Sequence, residues 1–77
     1  MHMIVPLSAL GPREKGIVVN IAGGHYARQR LVSMGLSPGA MVQVIESHSM
    51  GPIIFSVGGA RFAIGRGLAS KVMVRKL

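Results

Sequence analysis

One change of hydrophobic period constrains this chain more than anything else in it. The run "KGIVVNIAG" (15–23) alternates, with Ile17, Val19 and Ile21 on one face and Val18, Asn20 and Ala22 on the other. A period of two with β-branched residues predicts a strand. Gly23 and Gly24 break it, and in "HYARQRLVSM" the spacing becomes helical: Ala27, Leu31 and Met34 stand at i, i+4 and i+7. That is the buried stripe of a short helix. Gly35 is placed to act as a left-handed cap, with Leu36 packing back on Leu31. Ser37, Pro38 and Gly39 then forbid continuation, because proline lacks the donor and restricts the residue before it. The only convincing helix therefore ends here, in "RQRLVSMGLSPGAMV" (28–42), and an apolar strand follows at once.

The remainder reads as β. "IVPLSAL" contains Pro6 and is expected to be an extended lead-in rather than a central strand, and Gly11 with Pro12 turns the chain. "AMVQVIESH" sets Val42 and Val44 against Met41 and Ile45, and "IIFSV" alternates through Ile53, Phe55 and Val57. Gly58-Gly59 is a two-residue hairpin signal, after which "ARFAI" returns with Phe62 and Ile64 inward. "GRGLASK" has room for one tight turn, and "VMVRKL" is a final strand. Five short strands, with one helix inserted after the first long strand, predict a mainly β domain over residues 1–77 that closes as a small, strongly bent barrel. There is no internal repeat, low-complexity tract or linker.

A chain of 77 residues without cysteine must rely on that one core, with neither disulfide nor thiolate metal cage to assist it. No charged and apolar leader opens the sequence, and runs such as "GIVV" are too short to span a bilayer, so a cytoplasmic domain is expected. Nine Lys and Arg against two acids give a net charge of +7. Such a balance normally suggests nucleic acid or an acidic surface. Yet 49% of residues are hydrophobic and only 14% charged, with three aromatics in all, too few for a stacking platform. So apolar a small chain is not expected to bury all it carries, which favours a protein partner, or a second copy of the chain, over nucleic acid.

Catalysis is poorly supplied. The only carboxylates, Glu14 and Glu46, lie far apart, no nucleophile elbow is present, and the glycines form no phosphate cradle. The chain is therefore not expected to be an enzyme. Glu46 and His48, two apart on a strand, could begin a transition-metal site with His25 as a third ligand; a tight site needs three or four donors. The plainer reading of that pair is a solvated strand face, and His2 carries no inference. Arg28 and Arg30 sit about 200° apart around a helix and cannot form one compact patch. A DNA-recognition helix would also need a partner helix across a short turn. Arg61, Arg66, Lys71, Arg75 and Lys76 scatter over the C-terminal strands, where such residues usually solvate the outside of a barrel. Arg30, beside the buried stripe, is placed to lay its stem on the core and bond a loop carbonyl.

With these residues placed, "RQRLVSMGLSPG" (28–39), "GPIIFSVGGARFAIGRGLASKVMV" (51–74), "PLSAL" and "GIVVNIAGG" together resemble the FeoA family of small ferrous iron transport domains. The resemblance covers nearly the whole chain. It implies an SH3-like β-barrel with an inserted helix. It further implies a cytosolic accessory that docks on FeoB, the membrane ferrous-iron transporter. Related domains end the metal-dependent repressors, which keeps open a metal-responsive regulatory module binding ferrous iron or a similar cation; a basic, nucleic-acid-binding barrel is the weaker alternative. No cofactor is required by the docking reading. It would present Tyr26, Arg30, Met34 and Leu36 at one opening of the barrel, with Arg28 and Arg66 as rim contacts to an acidic partner. The plainer reading is that Leu31 and Leu36 close the barrel core, while Met34 fits either use.

Overall fold

The computed structural model describes residues 3–77; Met1 and His2 lie outside the described residues. The elements follow in the order β1 (Ile4–Pro6), a 3-10 turn (Leu7–Ala9), β2 (Lys15–Ile21), α1 (His25–Ser33), β3 (Met41–Ser47), β4 (Ile53–Val57), β5 (Ala60–Ile64), α2 (Arg66–Ala69) and β6 (Val72–Lys76). All strands join one antiparallel sheet in the order β1-β6-β2-β3-β4-β5. Among the described residues there are six strands where five were expected, because the lead-in pairs with β6, Ile4 opposite Arg75 and Pro6 opposite Met73. It does so at the sheet edge, where a missing proline N–H costs no ladder bond. The edge strands β1 and β5 do not pair with each other, so the barrel is curled but open along that seam.

Two bulges supply much of the bend. The first shifts the register of β2 against β6 between Val18 and Asn20. The extra residue reverses the alternation expected for β2: Val18 and Ile21 are buried together, while Val19 is exposed and Ile17 half-buried. The second lies between Val44 and Glu46 on β3; before it Val42 and Val44 share one face, as the sequence suggests, and that face is the buried one. Gly16 also faces the core. A β-carbon there would come within 3.0 Å of Val74, so β2 and β6 meet at that point only because no side chain intervenes.

The core packs Val18, Val42, Val44, Ile53, Phe55, Val72 and Val74 from the sheet against Leu7, Leu10, Leu31, Leu36 and Ala69 from the connections. Phe55 and Phe62, opposite one another on β4 and β5, stack at 5.7 Å between ring centres. Gly58 and Gly59 take φ of 58° and 84°, the doubly left-handed hairpin turn that their pairing predicts. At the turn before β2, the Glu14 carboxylate accepts the Gly11 N–H at 2.7 Å and meets Lys76 Nζ at 2.6 Å. The Lys76 contact, followed by the Gly11 bond, holds the Glu14 carboxyl below the usual carboxylate range.

Candidate functional site

The helix α1 is fastened at one end. At its exit Met34 is the last capping residue and Gly35 turns left-handed with φ 90°. The Gly35 N–H bonds the Val32 carbonyl at 2.9 Å and the Leu36 N–H bonds the Leu31 carbonyl at 3.2 Å. This paired arrangement is the Schellman motif, which brings Leu36 onto Leu31; both side chains are 0% exposed. The cap anticipated from "MGLSPG" is thus formed in full.

The start is different. Gly24 leads into the helix in an extended conformation with no side-chain cap, and the first turn carries no acid. Only Leu31 of the nine helical residues is buried. Tyr26 is 78% exposed, and Arg28, Arg30 and Val32 also face solvent. His25, Arg28, Gln29 and Val32 line a shallow groove of ≈ 210 Å³ along one side of the helix. Gln29 and Val32 belong to this surface although the sequence did not single them out. Their i+4 and i+7 spacing from His25 would have suggested a second stripe.

The residues expected to dock therefore divide. Tyr26, Arg28 and Arg30 are presented to solvent, and Met34 is half-buried against the core. Leu36 is a core residue with no surface to offer. Arg66 is committed elsewhere: from the first turn of α2 its guanidinium donates to Ser47 Oγ at 3.3 Å, to the Ser8 carbonyl at 3.1 Å and to the His48 carbonyl. It clips the 3-10 turn to the end of β3, the role expected of Arg30. The suggested metal donors are not assembled either. β3 ends at Ser47, so His48 lies outside the ladder in a turn closed by the Gly51 N–H. Among the described residues no three His, Asp or Glu side chains come together. The Arg66 guanidinium, bonded to the His48 backbone carbonyl, also places a positive charge beside this turn.

The curled sheet, the inserted helix and its sealed exit define a small SH3-like domain. The same fold is seen in FeoA of Stenotrophomonas maltophilia complexed with zinc, a procaryotic SH3 domain protein; the TM-score is 0.80 at 24% identity, covering 91% of this chain and 88% of that one. Closer likenesses narrow the class. The FeoA domain model matches residues 5–76. An Fe(2+) transport protein A assigned in Methanocaldococcus jannaschii is 48% identical over 69 residues, 90% of this chain and 83% of the relative. The crystal structure of an iron uptake regulatory protein (FeoA) superposes with a TM-score of 0.94 at 76% identity, covering 97% of this chain and all of that one. The chain belongs to the FeoA family.

Proposed function

We propose that this chain is a cytoplasmic accessory protein of ferrous iron uptake, and that it docks through α1 on the cytosolic part of a FeoB-type transporter. The transport role is supported by the names of its relatives, an Fe(2+) transport protein A and an iron uptake regulatory protein. The docking role is carried by one observation: a helix anchored through Leu31 alone leaves an aromatic ring, two arginines and an apolar groove facing outward. Tyr26 supplies a rigid amphipathic anchor. Arg28, beside the groove, and Arg30, on the far side of the helix, steer an acidic partner and fix its orientation. No helix among the described residues is long and apolar enough to cross a membrane. The reading needs no resident metal, since ferrous iron is the transporter's cargo.

The test is a binding measurement between this chain and the purified nucleotide-binding domain of the transporter. Tyr26→Ala with Arg28→Glu should weaken binding by at least roughly tenfold, and added salt should slow association. Unchanged affinity for that double variant would overturn the assignment of α1.

A further inference from the structure

A second surface, on the opposite side of the sheet from the core, has a chemistry of its own. Residues paired across a ladder share a face. Gly16, Val18, Val42 and Val74 face inward, so Ile4, Arg75, Ile17 and Met41, paired in succession across β1, β6, β2 and β3, form one row on the outer surface. At about 4.8 Å per strand the row is roughly 14 Å long. Ile4 is 49% exposed and Met41 53%. Met73, paired with Pro6, extends the apolar field on its next row.

Arg75 stands inside this row, half-buried between Ile4 and Ile17 rather than on its rim. Its side chain makes no hydrogen bond or ion pair among the described residues. Neither acid of the chain can serve it: Glu14 is bonded to Lys76, and Glu46 lies beyond the β3 bulge opposite Ile54. An occupant that covered this face would strand a desolvated guanidinium unless it brought a carboxylate to the centre of its own apolar stripe.

We infer that the outer face of β1-β6-β2-β3 is a second docking surface, taking an amphipathic helix of a partner protein with a single Asp or Glu in the middle of its apolar side. The charge complementarity selects this occupant. Two copies of the chain placed face to face would oppose Arg75 to Arg75 with no acid between them. A lipid surface favours cations around an apolar patch, where they can reach the headgroups; Lys15 stands at the rim of this face in that way, but Arg75, inside the row, is flanked by isoleucines. A helix of about ten residues spans the row, placing apolar residues over Ile4 and Met41 and the acid over Arg75. This surface is independent of the α1 reading and stands or falls separately from it.

The test uses the whole chain, isotope-labelled for amide spectra, and a synthetic helical peptide of about 14 residues with a leucine stripe and a central Glu. Saturable shifts at β1, β2, β3 and β6 are expected, with affinity at least roughly tenfold above that of the same peptide carrying Lys. Arg75→Glu should invert the preference, and Arg75→Met, which keeps the apolar stem, should abolish it. Shifts confined to α1, no saturable binding, or no change of preference in Arg75→Glu would overturn the inference. So would self-association of the chain through this face, or equal shifts with vesicles containing phosphatidylglycerol.

Discussion

The two ends of α1 are built on opposite plans. The exit is closed by two crossed backbone bonds over a pair of fully buried leucines, whereas the start has no side-chain cap, no first-turn acid and an almost bare tyrosine. One helix thus serves as a plug at one end and as an offered surface at the other. In the docking proposal, stability rests on the Leu31 side of these nine residues and recognition on their solvent-facing side, which runs from His25 to Val32.

That division can be broken by substitution. Leu31→Ala or Leu36→Ala should cost about 2–5 kcal/mol in urea unfolding, the usual penalty for truncating a buried leucine. Tyr26→Ala should change stability by less than about 0.5 kcal/mol; a large loss there would mean that the start is structural too. Gly35→Ala forces a side chain into a left-handed conformation and within 3.3 Å of Val57. About 1–2 kcal/mol should be lost in the same assay. At the other end Gly24 has open space around it. Gly24→Asp should therefore gain about 0.5 kcal/mol by capping the free N–H groups, and no gain would show that they are already satisfied.

The smallest effect lies at neither end and serves as a control. Glu14 has a lowered pKa in the folded chain, so its contact with Lys76 stabilises the fold above the ordinary carboxylate range, and that contribution is lost as pH falls through the lowered value. Thermal melts of Glu14→Gln should show a weaker loss of Tm between neutral and acidic pH than the parent chain, with α1 unaffected.

Local chemistry made much of the fold legible. Gly35 and Leu36 announce the helix exit because the Schellman motif needs only six neighbouring residues. The Gly58-Gly59 hairpin is likewise written within its own turn. What escaped the sequence depends on distant partners. The β2 bulge, which brings Val18 and Ile21 to the same side, is a property of its pairing with β6. The strand status of Ile4–Pro6 depends on the same distant strand. At the candidate site, exposure of Tyr26, Arg28 and Arg30 followed from their helical positions, but the use of Arg66 as a clip required Ser8 and Ser47 to be brought beside it. His48 failed as a strand donor because β3 stops one residue earlier.

The position of β6 has a kinetic consequence. It lies between β1 and β2, so residues 72–76 fill a gap bordered by residues 4–6 and 16–21. During synthesis β1 has no neighbour and β2 keeps an open edge until that late segment emerges. Such long-range closure is slow compared with the collapse of a hairpin. The β3-β4-β5 meander can assemble early by short loops, while the other half of the sheet waits, its edge open to unwanted pairing, for a strand encoded some fifty residues after β2.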